Sequence, residues 1–152
     1  PSMALDQMTR WYGGDKGGHI GFSCAMPITG QDGAAIRDLV RGELNDAGLD
    51  YSGVIIVSKR SMIHVGLVVF DTENAAQTEA AYSTTKSMVR SAAKKGYAEY
   101  RSHLDFMDLV ADQYDFNNHA QRRFHEVIKD ALDPNGVLSP GKQGIWPKDY
   151  RQ

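Results

Sequence analysis

Two side chains with complementary chemistry stand next to each other at Tyr100-Arg101. A phenol and a guanidinium on neighbouring residues can both donate to one oxygen anion, provided the backbone bends so that both line a single cavity. The stretch around them, Gly-Tyr-Ala-Glu-Tyr-Arg-Ser-His from Gly96 to His103, carries the signals for such a bend. Lys94-Lys95-Gly96 closes one helical pattern, Tyr97 to Tyr100 reads as a short extended piece, and a new helical pattern begins at Leu104. The residues alone leave two readings open: a pair that holds a small anion, or a tyrosine and an arginine paired locally with Glu99 or Asp105. Other reactive residues are sparse. His19 follows the glycine-rich Gly13-Gly14-Asp15-Lys16-Gly17-Gly18, so its ring either faces a ligand held by that loop or is a satisfied structural histidine. That loop lacks the spacing of a phosphate-binding motif. His64 falls in mid-strand and reads as a hydrogen-bonded histidine. His103, His119 and His125 are scattered over two helical stretches, so no metal site is expected. Ser23-Cys24 has no flanking glycine elbow, and nothing marks either residue as a nucleophile.

The elements that must position these residues follow from periodicity. His19 to Ile28 reads as a strand with Pro27 near its end. Asp32 to Ala47 has apolar residues at helical spacing, with Asp32 as the expected N-cap and Gly48 beyond the last turn. Tyr51 to Ser58, with Val54-Ile55-Ile56-Val57, reads as a buried strand, and Met62 to Phe70 as its hairpin partner. Asn74 to Lys95 is a long alanine-rich helix. The first two-thirds is therefore β-α-β-β-α, an α+β fold with an antiparallel sheet and helices on one face. Leu104 to Gln113 and Asn118 to Leu132 read as two further helices. From Asp133 to Pro147 three prolines and three glycines exclude regular structure, yet Val137, Leu138, Ile145 and Trp146 need a surface to pack on.

Composition restricts the class. The chain has 152 residues, 41% hydrophobic and 24% charged, with a formal net charge of -2. That is ordinary globular composition, with no basic surface for nucleic acid and no apolar run long enough to span a bilayer. The single cysteine, Cys24, excludes an internal disulfide framework. No signal-peptide pattern opens the chain, and Pro1 is not an initiator methionine, so the chain is expected to be processed or a piece of something longer. A cytoplasmic or periplasmic soluble protein is expected.

Two stretches carry a resemblance. Asp133-Pro134-Asn135-Gly136-Val137-Leu138-Ser139-Pro140-Gly141-Lys142, continued by Gln143-Gly144-Ile145-Trp146-Pro147, resembles the C-terminal motif of FAD-linked oxidases of the vanillyl-alcohol oxidase superfamily. Glu99-Tyr100-Arg101-Ser102-His103-Leu104, followed by Phe106-Met107-Asp108, narrows this to the branch acting on 4-alkylphenols, which includes vanillyl-alcohol oxidase and the 4-cresol dehydrogenase flavoprotein. The resemblance runs from about His19 to the C-terminus. It implies that residues 1–97 are the later half of a cap domain and residues 98–152 the segment returning to an FAD-binding domain, whose main part is missing from this chain. It implies hydride transfer from the benzylic carbon of a 4-substituted phenol to FAD through a p-quinone methide, with the phenolate held by Tyr100 and Arg101. A covalent flavin link is implied at His19, with Tyr12 as the alternative. His64 and Val65 fall in the strand lining the family's substrate pocket; where the family often has two adjacent histidines, this chain has Ile63-His64. The implied partners are a phenolic substrate, a cytochrome c subunit and further copies in a homo-oligomer; the isolated chain is expected to be inactive. Two competing expectations are another superfamily member, such as a 2-hydroxy-acid dehydrogenase, and a non-catalytic α+β module. The module reading expects no large apolar patch near Ile145-Trp146.

Overall fold

A computed structural model describes residues 16–151. The elements are β1 (Gly17–Met26), α1 (Gly30–Asp46), β2 (Tyr51–Val57), β3 (Met62–Asp71), α2 (Ala75–Lys94), β4 (Ala98–Glu99), α3 (Met107–Asp112) and α4 (Phe116–Leu132). Short 3-10 turns occupy Leu104–Phe106, Lys142–Gly144 and Lys148–Tyr150. The chain forms two compact units, the first ending at Arg101 and the second beginning at Ser102.

The first unit is an antiparallel sheet in the order β2-β3-β1-β4, as its α+β pattern requires. Alternation sets its two faces. Ile20, Phe22, Cys24 and Met26 of β1 are buried and lie opposite Val68, Gly66, His64 and Met62 of β3. Helix α1 closes on this face with Ile36, Val40 and Leu44, and α2 with Ala81, Met88, Val89 and Ala92. Each large apolar side chain removed from water here contributes about 1.5–3 kcal/mol before entropy is counted.

Local chemistry fixes the helix ends. Helix α1 starts two residues earlier than its apolar period suggests. Thr29, not Asp32, is the N-cap: its hydroxyl accepts from the Asp32 N–H at 3.0 Å, and Asp32 reaches back to the same hydroxyl. The Thr29 hydroxyl in turn donates to the Asp32 carboxylate, which holds it in place to accept from the first turn. Asn74 caps α2 by accepting from the N–H groups of Ala76 and Gln77. At the other end Gly96 takes a φ of 80°, and Gly96 and Tyr97 donate back to Ala93 and Ala92 at 2.8 and 3.0 Å. A side chain at that left-handed position would cost about 1–2 kcal/mol, which is why the helix stops at a glycine and releases β4.

One strand departs from expectation. Strand β2 is an edge strand rather than a buried one, with Val54 59% and Val57 64% exposed. Four successive branched aliphatics promote extended backbone, but they do not specify a neighbour on each side.

In the second unit the irregular tail packs around α3 and α4. The Asp133 carboxylate accepts from the N–H groups of Val137 and Leu138 at 2.9 and 3.0 Å and is paired with the Lys129 ammonium at 2.6 Å. The Trp146 indole donates to Asp108 at 2.8 Å, and Arg151 grips Asp130 with two nitrogens. Gly144 has a φ of 72°, and a Cβ there would stand 2.4 Å from that of Ala111. Helix α4 opens with Asn117, Asn118 and His119 in left-handed conformation, so its regular turns begin later than the apolar spacing suggests. None of its residues is buried. Leu132 and Leu138, 74% and 60% exposed, join Ile128 and Ile145 along an apolar groove, contrary to the smooth tail expected of a stand-alone module.

Candidate functional site

The open face of the sheet carries the residues that could meet a ligand. On β1 the positions of this face are the exposed His19, the half-buried Gly21 and Ala25 and the buried Ser23; on β3 they are the half-buried Val65 and Leu67 and the buried Val69. Strand β4 supplies the next row. Glu99 is opposite Cys24, so Tyr100 continues the ladder opposite Ser23, and its N–H donates to the Ser23 carbonyl at 3.1 Å. Alternation then sends Glu99 to the helix-covered face and Tyr100 to the open one.

The Tyr100 and Arg101 side chains are in contact. The Arg101 guanidinium carbon lies 5.8 Å from the centre of the Tyr100 ring, within cation-π range, and both side chains are exposed. The competing local ion pairs do not form as the sequence allowed. Glu99 is buried on the other face, Asp105 stands 3.7 Å from His103, and among the described residues Arg101 makes no salt bridge. A phenol hydroxyl and a guanidinium left facing one side can converge on a single oxyanion.

His19 is exposed on the same face, opposite Val69. It lies four residues along β1 from Ser23, so its Cα is about 13 Å from the level of Tyr100. Val65 shares the Tyr100 row, with Ser23 between them. Ser23, whose isolated sequence context marked it for nothing, is therefore central to this face. The signal for it was the period-2 series His19, Gly21, Ser23, which places it beside Tyr100 only once β4 is paired. Tyr12 lies outside the described residues.

His64 does not join them. Adjacent strand residues point to opposite faces, so placing Val65 on the open side puts His64 in the core, where it is fully buried. Its ring lies over two glycines that face each other across β2 and β3. A Cβ on Gly53 would stand 2.7 Å from His64 Nε2, and one on Gly66 2.6 Å from Cε1. Nε2 shares a hydrogen bond with the Tyr51 hydroxyl at 3.2 Å. Burial lowers the pKa of His64, partly offset by the Phe22 backbone, so the ring is kept neutral. His64 thus fills the space of two missing side chains, on the face opposite to Val65.

Among the described residues no group of three or more His, Cys, Asp or Glu is placed to hold a metal ion, and no helix is long and apolar enough to cross a membrane. The cofactor test concerns flavin instead. The face offers an exposed imidazole at His19 and half-buried apolar side chains at Val65 and Leu67, which fit an aromatic group anchored at one edge.

Comparison with known proteins gives the same direction. Over 145 residues the chain is 32% identical to the 4-cresol dehydrogenase [hydroxylating] flavoprotein subunit of Pseudomonas putida, matching 95% of this chain and 27% of that protein. The structure superposes on a 4-ethylphenol oxidase from Gulosibacter chungangensis, solved as an isoeugenol complex, with a TM-score of 0.86 and 41% identity over 90% of this chain and 26% of that one. Against p-cresol methylhydroxylase with substrate bound the TM-score is 0.80 at 32% identity, over 85% and 24% of the two chains. The chain spans about a quarter of the length of these relatives. Residues 37–143 match the family model for FAD linked oxidases, C-terminal domain. That match covers most of the chain, runs from α1 to the tail turn after Gly141, and includes Tyr100-Arg101; the chain belongs to the FAD linked oxidase C-terminal domain family.

Proposed function

We propose that this chain is the C-terminal part of an FAD-dependent oxidoreductase that oxidises 4-alkylphenols, with Tyr100 and Arg101 binding the phenol oxygen as its phenolate. The observation that carries the reading is the contact of the Arg101 guanidinium with the Tyr100 ring, both exposed, with Tyr100 on the sheet face that also carries His19. A free phenol has a pKa near ~10, so ionising it at neutral pH needs about 4 kcal/mol of differential stabilisation. One charge-assisted bond from Arg101 and one from the Tyr100 hydroxyl, aimed at a single oxygen in a site closed to water, supply about that much. The phenolate charge is then directed through the ring toward the para substituent. FAD, when bound, supplies the acceptor for the benzylic hydride, leaving a p-quinone methide of the phenol. His19 would hold the flavin covalently, with Tyr12 as the alternative, and Val65 and Ser23 would line the ring-binding surface between them.

In this reading residues 1–97 are the later half of a cap domain and residues 98–152 return to the FAD-binding domain. The one-sided edge of β2 and the uncovered apolar face of α4 support it, because each needs a neighbour that the rest of a fourfold longer protein would provide. A homo-oligomer and a cytochrome c electron acceptor are proposed for the whole protein, the latter from the dehydrogenase relative. The test uses the intact flavoprotein: Arg101→Gln and Tyr100→Phe should weaken binding of 4-cresol with the flavin still attached, and unchanged affinity would remove the phenolate role. Peptide mapping of the flavin adduct separates His19 from Tyr12.

A further inference from the structure

Glu99 immediately precedes the Tyr100-Arg101 pair and points the opposite way. Its side chain lies on the helix-covered face, only 6% exposed, level with Cys24 on β1 and, one strand further, with His64 on β3. Three polar groups in the core therefore share one row across the sheet. Helix α2 covers this row; its buried residues, including Thr84, Thr85, Met88 and Ala92, contain no ionisable group. Helix α1 brings one acid to this end of the sheet, Asp32, which accepts from the Tyr97 hydroxyl at 2.9 Å. Among the described elements the titratable group beside Glu99 is the Cys24 thiol; the His64 imidazole lies one strand further, Asp32 is reached only through Tyr97, and the Ser23 backbone hydrogen-bonds the Glu99 side chain. Burial favours the uncharged form of both Cys24 and His64.

The strand that carries Glu99 is only two residues long, Ala98–Glu99, extended by the single bond from Tyr100 to Ser23. So short a ladder does not hold itself in place, and the seated side chain must do much of that work. We propose that Glu99 is a positioning residue: its side chain, seated beneath α2, sets the register of β4 and so aims Tyr100 and Arg101 at the open face, and loss of its proton unseats the strand. This rests on the phenolate reading of that pair. Burial pushes the Glu99 carboxyl up to about 8, from an ordinary 4.5, against a hydrogen bond from the Ser23 backbone that pulls it down. The folded protein therefore keeps a proton that the unfolded chain has already lost. The seat weakens as pH rises above 4.5 and is given up as pH passes through about 8. An ionised Glu99 released from the core would also be a carboxylate competing for the Arg101 guanidinium one residue away from Tyr100.

The experiment follows isoeugenol binding to the intact flavoprotein by flavin absorbance from pH 6.5 to 9.5, in wild type and in Glu99→Gln, which has no proton to lose. Taking the ratio of the two dissociation constants cancels ionisation of the ligand itself. That ratio should rise about tenfold between pH 7 and pH 9, as a single group titrating near 8 dictates. A second readout needs no ligand. Deuterium uptake in residues 97–101, normalised to β3, should increase through pH 8 in wild type and stay level in the variant. A level ratio in both readouts overturns the role of Glu99. If Glu99→Gln does not fold, the normalised exchange of the wild type decides alone: a step near pH 8 supports the seat, and a flat profile overturns it. Isoeugenol binding that is unaffected by Tyr100→Phe at pH 7 would instead defeat the phenolate reading, while the exchange profile still judges Glu99.

Discussion

The open face of the first unit and the tail of the second are opposites in how they encode information. The tail is dense with unusual residues, and nearly all of them serve packing. Asp133 gathers two backbone N–H groups and a lysine, Gly144 lets the chain pass Ala111, and Trp146 is tied to Asp108. The face proposed to carry the chemistry uses ordinary residues: a tyrosine, an arginine, a serine and a histidine drawn from two strands. Of the two stretches that carry the family resemblance, the tail thus serves packing, whereas the one around Tyr100-Arg101 lies at the proposed binding face. A glycine or proline in a fixed place is constrained by geometry that tolerates few substitutes, whereas a binding face is defined by which strands are neighbours.

The largest expected effect lies in the tail. Gly144→Ala combines a left-handed φ with a collision against Ala111 and should cost about 3 kcal/mol, read as a lower denaturant midpoint, with phenol affinity of the remaining folded protein unchanged. Next is Arg101→Gln on the open face, which should weaken phenol binding by about 30- to 100-fold and leave the denaturant midpoint within experimental scatter. Tyr100→Phe removes one neutral donor and should cost about tenfold in the same titration. A midpoint loss from either open-face variant as large as that of Gly144→Ala would break the separation of packing and chemistry. The smallest effect is a pH dependence. His64 is held neutral in the fold but gains a proton in the unfolded chain below its ordinary 6.5, so stability should fall as pH drops below that value. His64→Gln should flatten that limb of the stability profile, and an unaltered slope would show that the proton sits elsewhere.

How much was legible in the sequence follows the same division. Helices α1 and α2 and the β2-β3 hairpin were readable because period 3.6 and period 2 survive in their apolar residues. The apolar period starts α1 at Asp32, whereas the N-cap is Thr29, because capping lies outside the apolar pattern and only the backbone shows which residue stands before the helix. Strand β2 was taken as buried because four branched aliphatics look the same at an edge as at the centre of a sheet. Tyr100 and Arg101 were found as neighbours in the chain, but their association with Ser23 and His19 required the pairing of β1 with β4, across more than 70 residues. His64 and Val65 are placed together by the resemblance, as members of the strand lining the family's substrate pocket, whereas strand alternation puts them on opposite faces.

The glycine pair under His64 has an evolutionary corollary. Gly53 and Gly66 are vacant because the imidazole occupies the space of both, so these three positions are accessible to change only as a set. A methyl group at either glycine meets the ring first, and loss of the ring alone leaves a void across two strands. Lineages that differ at one of the three should therefore carry a compensating exchange at another, and the intermediates between them should be rare.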